Sequence, residues 1–110
     1  MTTIVNIRKK ELNKRGIKDF QQWNGMENTL YIGRNMEFYI KGAKESKWKN
    51  IFNVKQHGRK KCLKMYEDYI RNNTELYNSL GELKNKELGC WCKPEPCHGD
   101  ILVKLVNELN

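Results

Sequence analysis

The sequence predicts an α/β fold: a small layered domain of about three short strands, at least partly parallel, packed with about three helices. Two observations predict it. Short apolar runs suited to strands alternate with longer segments whose apolar residues recur every three or four positions, which is the spacing of one helix face. The chain has 110 residues, the length of one domain, so we expect residues 1–110 to form a single basic α/β domain.

Two strands are predicted in the first part of the chain. Residues 4–8 alternate apolar and polar side chains, and residues 29–32 form a second short apolar run that ends at Gly33. The intervening segment is charged and irregular, although Ile17, Phe20 and Trp23 fit one face of a short helix.

Residues 34–57 predict no regular element beyond a short hairpin. Aromatic and aliphatic residues alternate there with lysines. A segment of this length without regular structure is unusual in a compact domain and often has a functional role.

The second half predicts two helices, a third strand and a last helix. Residues 58–72 carry an apolar stripe, on which Cys62 is expected to be buried and inert. A shorter helix begins after Thr74, a residue suited to the N-cap. Residues 87–92 form the third strand, two prolines end it, and the last helix covers residues 98–109.

The net charge is +8, and its distribution is uneven. Residues 1–75 contain 17 of the 21 Lys and Arg residues but only 8 of the 13 Asp and Glu residues. A basic surface attracts phosphates, although the charge also suits plain solubility. The many Lys and Asn residues suit an AT-rich genome, such as that of a phage, a large DNA virus or a mobile element.

No segment has the roughly 20 apolar residues that cross a bilayer, and the N-terminus has no signal-peptide pattern. We therefore expect no membrane partner and no secretion. The expected location is the cytoplasm, or association with nucleic acid, including packaging in a virion. In a reducing compartment the four cysteines serve as thiols, metal ligands or redox groups rather than as structural disulfides.

The segment from Cys90 to Asp100 is the most distinctive motif. Residues two apart share a face of a strand, so Cys90 and Cys92 are expected to point the same way. The proline loop can bring Cys97 and His98 back toward them. Three sulfurs and one imidazole make a complete tetrahedral set, so the motif predicts a zinc site.

Three other interpretations of the motif stay open. The thiols fit buried packing at a strand-to-helix turn. Cys97 at a helix N-terminus fits a catalytic nucleophile near His98 or Asp100, and redox sensing fits as well. The turn at residues 96–99 also precedes a helix at the carboxyl end of a strand, where α/β proteins bind nucleotides and phosphates.

Four segments, at residues 5–8, 31–34, 46–52 and 90–100, together resemble the domain-of-unknown-function family 4326. That family occurs in bacteria, phages and large DNA viruses. Its members usually have proline where this chain has Asn35 and Ile51. The resemblance covers most of the chain and implies the location of the site rather than a reaction. It directs attention to five residues as partners of the turn at residues 96–99, namely Arg8, Arg34, Lys47, Trp48 and Asn50.

The leading functional hypothesis is binding of the DNA or RNA phosphate backbone without sequence preference, since no base-reading module is visible. Arginines and lysines would contact phosphates, and Trp48 would either stack a base or belong to the core. The predicted surface comprises Arg8, Arg34, Lys47, Trp48, Lys49, Arg59, Lys60 and Lys61.

The alternative is a nucleotide-like ligand, bound or processed at the sheet rim. Arg8 and Arg34 each follow a predicted strand, so parallel neighbouring strands would bring both guanidinium groups to one rim as an anion clamp. The chain has no Walker loop, Rossmann glycine fingerprint or catalytic triad, so an enzymatic role stays uncertain. A third interpretation is an interaction protein with an apolar patch in residues 34–57. For the nucleotide-like ligand, the residues predicted to bind it are Asn50, His98, Gly99 and Asp100.

Overall fold

The computed structural model describes residues 1–109, which contain three strands, six α-helices and one 3₁₀ helix at Leu80–Leu83. The α/β class is confirmed, with more helices than the sequence predicted. The strands are β1 (Thr3–Asn6), β2 (Thr29–Tyr31) and β3 (Glu87–Cys90). The helices are α1 (Lys9–Lys14), α2 (Phe20–Asn24), α3 (Val54–His57), α4 (Arg59–Asn72), α5 (Thr74–Asn78) and α6 (His98–Glu108).

The sheet has the order β1-β3-β2, and both pairings are parallel. Gly89 on the central strand lies opposite Val5 on one side and Tyr31 on the other. Since β3 lies between them, β1 and β2 are not the neighbours that the converging-arginine hypothesis assumed. All three carboxyl ends still meet at one edge, which we call the carboxyl rim.

The two faces of the sheet carry separate apolar cores. Along β3, Leu88 and Cys90 belong to one core, whereas a Cβ on Gly89 would lie 2.4 Å from the ring of Trp23 in the other. This alternation is the two-residue period of a strand. Glycine is required at position 89 because α2 packs its tryptophan directly against the backbone.

Helices α4, α5 and α6 cover the first face, where Tyr66, Ile70, Leu102 and Leu105 are fully buried. Helices α1 and α2 cover the second face with Leu12, Phe20 and Trp23. The result is a three-layer arrangement with the sheet in the middle. The predicted stripe on α4 is confirmed, and Cys62 is buried as expected. No helix within residues 1–109 is long and apolar enough to cross a membrane.

Three local predictions are wrong. The hairpin expected within residues 34–57 is absent from that described segment, which forms turns and then α3. The N-cap of α5 is Asn73 rather than Thr74, because the Asn73 side chain accepts the Leu76 N–H at 3.0 Å. Strand β3 ends at Cys90 rather than at residue 92, since the chain bends at Trp91 and then turns at Lys93 and Pro94.

Candidate functional site

A pocket of about 290 Å³ opens at the carboxyl rim, between the end of β3, the start of α6 and the start of α4. Crevices outside the carboxyl ends of parallel strands are the usual ligand sites of α/β proteins. The pocket volume lies at the small end of the range for such sites. Its lining brings together the cysteine turn and residues from the irregular segment 34–57.

Two arginines line the pocket. Arg34 follows β2 and is exposed, and it has no hydrogen bond or ion pair from its guanidinium group to any of residues 1–109. Arg59 begins α4 and donates from Nη1 to the Pro96 carbonyl oxygen at 2.7 Å, which leaves its other N–H groups available. The loop after β3 is therefore tied to α4 by one of the two cations.

Asn50 lines the same pocket and organises the segment before α3. Its Oδ1 accepts the Phe52 N–H at 2.9 Å, and its Nδ2 donates to the Cys62 sulfur at 3.3 Å. The predicted ligand residue therefore also fixes the loop against α4. Because both polar groups have partners within the protein, the amide is oriented rather than free to rotate.

The Cys90 and Cys97 thiols meet at the base of the pocket, where Cys97 Sγ donates to Cys90 Sγ at 3.4 Å. That hydrogen bond, opposed in part by burial, lowers the pKa of Cys90 to about 6, and the backbone N–H groups of Lys93 and Cys92 add to the effect. The same hydrogen bond and burial raise the pKa of Cys97. The pair therefore favours a state with one shared proton.

His98 follows Cys97 as the first residue of α6 and is buried. Its Nε2 is 2.7 Å from the Ile32 carbonyl oxygen, so Nε2 carries the proton and donates, and its ring packs edge-on against Tyr66. Burial lowers the pKa of His98, although the contact with Ile32 opposes the shift. The imidazole is thus neutral near pH 7 and links α6 to the end of β2.

The predicted zinc ligands are only partly brought together. Cys92 is exposed because β3 ends before it, and the contact with Ile32 leaves only Nδ1 of His98 for an ion. Within residues 1–109, no three Cys, His, Asp or Glu side chains form a group that could hold a metal ion. The zinc site stays a prediction that requires Cys92 to move and the other three side chains to rearrange around an ion.

The amino terminus of α6 is capped by a side chain of the helix itself. The Asp100 Oδ2 accepts the Cys97 N–H at 3.0 Å, and its Oδ1 pairs with Lys93 at 2.6 Å. A Cβ on Gly99 would lie 2.6 Å from Ile4, so glycine lets α6 pack against the sheet. These two predicted ligand residues therefore build the turn, and neither of them lines the pocket.

The comparison with family models matches residues 16–108 to a domain of unknown function, DUF4326. The chain belongs to this family. The matched range includes β2, α4, β3 and α6, so it contains every element that lines the pocket.

Two viral relatives of this family 4326 chain are similar to it over part of their length. The "Uncharacterized protein R718" of Acanthamoeba polyphaga mimivirus is 35% identical over 85 residues, covering 69% of this chain and 65% of the relative. The "Uncharacterized 12.4 kDa protein in nrdA-td intergenic region" of Enterobacteria phage T4 is 36% identical over 66 residues, covering 56% and 61%. The chain thus spans somewhat under two thirds of each relative. No solved structure matches.

The remaining predicted residues of the family 4326 chain lie outside the pocket. Arg8 donates from Nε to the Trp91 carbonyl oxygen at 3.1 Å, beside the cysteine loop. Lys47 and Lys49 pair with Glu82 and Glu45.

Trp48 is buried and donates from Nε1 to Glu82, which is the core role that the sequence left open. Its indole ring belongs to the apolar core on the α4 side of the sheet.

Lys60 and Lys61 are exposed at the start of α4, beside the pocket. Together with His57, Gly58, Arg59 and Lys64 they line a shallow depression, which we call the basic depression. Neither lysine has an acidic partner within residues 1–109. They would meet a ligand or a surface from the same side of the fold as Arg59.

Sequence reasoning missed the apolar part of the pocket. Met36, Val54, Leu63 and Trp91 line it beside the polar groups. Leu63 follows directly after Cys62 on α4, so it falls beside the fully buried stripe rather than within it. One signal could have identified Leu63 as a pocket residue. It is an apolar residue beside the buried stripe of a helix, and that helix packs near the cysteine motif.

Proposed function

We propose that the pocket at the carboxyl rim binds a small phosphorylated ligand of the mononucleotide type. The observation that carries the proposal is the pairing of Arg34 and Arg59 around a pocket whose remaining wall is largely apolar. Ligand pockets of this kind combine an apolar wall for a ring with a few charged groups that fix orientation. A volume of about 290 Å³ suits one nucleotide better than a dinucleotide.

The arginines are the groups that recognise the phosphate in this proposal. A guanidinium offers a planar fork that matches phosphate oxygens two at a time. Arg59 is held by the Pro96 carbonyl, so less conformational freedom is lost when it binds. The start of α6 is a weaker phosphate site, because the Asp100 carboxylate already occupies it.

The ring of the ligand would pack on the apolar wall. Met36, Val54, Leu63 and Trp91 supply that wall, and Asn50 lies within reach as an oriented amide. Aromatic and thioether side chains pack against flat rings with little preference for one base over another. We therefore expect the phosphate to contribute most of the affinity. The identity of the base should have only a small effect on affinity.

The test is calorimetric titration of the purified chain with adenosine, adenosine 5′-monophosphate and inorganic phosphate. Binding of the monophosphate, with weaker binding of the nucleoside and of phosphate alone, supports the proposal. The variant Arg59→Gln should weaken that binding about tenfold or more, the cost of one charged hydrogen bond. Lys84→Gln, an exposed cation between the 3₁₀ helix and β3, is the control that should leave affinity unchanged.

Two results would count against the proposal. One is equal affinity of the wild-type chain and of the double variant Arg34→Gln/Arg59→Gln for the monophosphate. The other is the absence of binding by any of a panel of purine and pyrimidine monophosphates at millimolar concentration. Circular dichroism of each variant separates loss of binding from loss of folding.

A second candidate is binding of the DNA or RNA phosphate backbone, favoured by the basic depression. Two of its lysines, Lys60 and Lys61, lack acidic partners within residues 1–109, and they lie at the positive end of α4, where like charge is unfavourable unless an anion is present. Backbone binding of this kind depends on salt and not on sequence. A chain with net charge +8 would reach nucleic acid at high rates.

The two candidates are distinguished by titrating short unrelated DNA duplexes and single strands at several salt concentrations. Backbone binding predicts a dissociation constant of roughly 10⁻⁴ to 10⁻⁶ M or tighter, weakening steeply with salt. Competition by a mononucleotide would indicate that the strand enters the pocket. Strong mononucleotide binding without DNA binding, even at low salt, would assign the lysines to solubility alone.

A further inference from the structure

The four cysteines of the chain occupy three different environments. Cys62 is buried and contacts the Asn50 amide, Cys92 is exposed, and Cys90 and Cys97 form a pair. The paired thiols are each only 1% exposed, yet both line the pocket. Only this pair combines a thiol-to-thiol contact with a route from solvent.

The geometry of the pair suits formation of a disulfide. The sulfurs are 3.4 Å apart, and a disulfide bond is about 2.0 Å long, so the sulfurs must approach by roughly 1.4 Å. The two residues lie at opposite ends of the loop that joins β3 to α6. Both cysteines belong to the core on the α4 side of the sheet, and a small adjustment of their side chains and of that loop supplies the approach.

The loop between the two cysteines is fixed along its length. Asn6 Nδ2 donates to the Lys93 carbonyl oxygen at 2.5 Å, and Arg59 holds the Pro96 carbonyl oxygen. Lys93 and Asp100 form an ion pair across the loop. These contacts hold the two sulfurs near each other in the reduced chain. Oxidation therefore joins two groups that are already in contact.

We propose that Cys90 and Cys97 form a dithiol that a small peroxide, entering through the pocket, oxidises to an intramolecular disulfide. The class of oxidant follows from burial. A bulky disulfide such as oxidised glutathione cannot reach sulfurs that are 1% exposed, whereas hydrogen peroxide is scarcely larger than water. Bulky reagents should instead modify the exposed Cys92.

The reaction takes place in two steps. The Cys90 thiolate attacks one oxygen of hydrogen peroxide, the O–O bond breaks, a sulfenic acid forms, and the released hydroxide takes up a proton as water. The Cys97 sulfur then attacks the Cys90 sulfur, the S–S bond forms, and the hydroxyl group of the sulfenic acid leaves with the Cys97 proton as water. Two thiols and one peroxide give one disulfide and two waters, and the sulfurs lose two electrons to the peroxide oxygens.

The test uses the full chain with a chelator present, treated with equimolar hydrogen peroxide, denatured and assayed for free thiols. The wild-type chain has four thiols and should retain two. The variant Cys62→Ser/Cys92→Ser keeps only the pair and should retain none, whereas Cys90→Ser and Cys97→Ser should form no intramolecular disulfide. Dithiothreitol should restore every lost thiol.

Peptide mapping keeps the proposal testable if a pair variant fails to fold. Chymotrypsin cuts after Trp91 and so separates Cys90 from a peptide that carries both Cys92 and Cys97. A non-reducing digest of the oxidised and alkylated wild-type chain should contain the two peptides joined, with the alkyl label on Cys92 and not on Cys97 in fragment-ion spectra. A disulfide that includes Cys92, a sulfinic acid at Cys90, or retention of both thiols by the Cys62→Ser/Cys92→Ser variant would each overturn the proposal. None of these readouts depends on a bound nucleotide.

Discussion

The two ends of helix α4 both carry cations, but the surrounding protein neutralises them at only one end. At the carboxyl end, Glu67 accepts hydrogen bonds from Lys104 and Arg71, and Arg71 also pairs with Glu108 on α6. At the amino end, Lys60 and Lys61 have no acidic partner within residues 1–109. One helix therefore presents a closed ionic network at one end and an open basic surface at the other.

The difference separates charges that serve the fold from charges that are available to a ligand. A cation near a helix carboxyl terminus is favourable and a cation near the amino terminus is unfavourable, so the dipole of α4 strengthens the contrast. The closed end joins α4 to α6. The open end costs stability in the isolated chain, and that cost is offset when an anion binds there.

Reversing charge at the open end should give the largest effect. In Lys60→Glu/Lys61→Glu, we expect affinity for a DNA duplex to fall about tenfold or more and the salt slope to decrease by about two. Fluorescence anisotropy at several salt concentrations measures both. Melting temperature should stay level or rise, because acidic residues suit a helix amino terminus.

The matched control for that charge reversal is Lys10→Glu/Lys84→Glu, which changes net charge equally at exposed sites away from the basic depression. It should weaken binding much less. An equal loss of affinity in the two double variants would mean that the overall field of the protein, and not the open end of α4, attracts the nucleic acid.

Breaking the closed end should lower stability and spare binding. In Glu67→Gln, the hydrogen bonds from two cations are weakened, and we expect the free energy of unfolding to fall by up to about 1 kcal/mol, measured by urea denaturation. Glu27→Gln, an exposed residue without an ion pair within residues 1–109, is the control that should be neutral. Reduced affinity for DNA in Glu67→Gln would show that the two ends are coupled.

Acid should weaken the closed end in the same direction. Hydrogen bonds from Lys104 and Arg71 lower the pKa of Glu67, and the hydrogen bond from Arg71 lowers that of Glu108. A depressed carboxyl pKa contributes stability above the unfolded pKa, near 4.3, and loses it as pH falls through the folded pKa. The stability difference between the wild-type chain and Glu67→Gln should therefore be present at pH 6 and shrink below about pH 4.3. A difference that persists at pH 2 would contradict this.

The sequence predicted the class of the fold because its signals are local. The stripe on α4 and the strand at residues 29–32 depend only on the spacing of neighbouring side chains. The order of strands depends on packing across the sheet, which no local pattern encodes. That is why the placement of β3 between β1 and β2, and the separation of Arg8 from Arg34, could not be predicted.

The site was predicted in part for the same reason. Cys90, Cys97 and His98 are close in sequence, and the structure brings the two thiols together and places all three residues beside one pocket. Arg59 lies 38 positions before Cys97, and only the packing of α4 against the loop after β3 brings its guanidinium to Pro96. The apolar wall was missed because Val54 and Leu63 have the pattern of ordinary core residues.

Removing the Cys92 thiol should have the smallest effect of these changes. It tests whether side-chain packing or a bound metal ion holds the open end of α4 against the loop after β3. Arg59 links that end to the loop that carries Cys92, and the exposed Cys92 side chain contributes little to either core. We expect Cys92→Ser to change the melting curve within the range of ordinary surface substitutions, about 0.5 kcal/mol, with or without a chelator. A zinc site at Cys90, Cys92, Cys97 and His98 requires the opposite result, a large loss of stability in the variant and a similar loss when a chelator is added to the wild-type chain. Metal analysis of the purified chain then decides between a structural ion and a site that packing alone holds together.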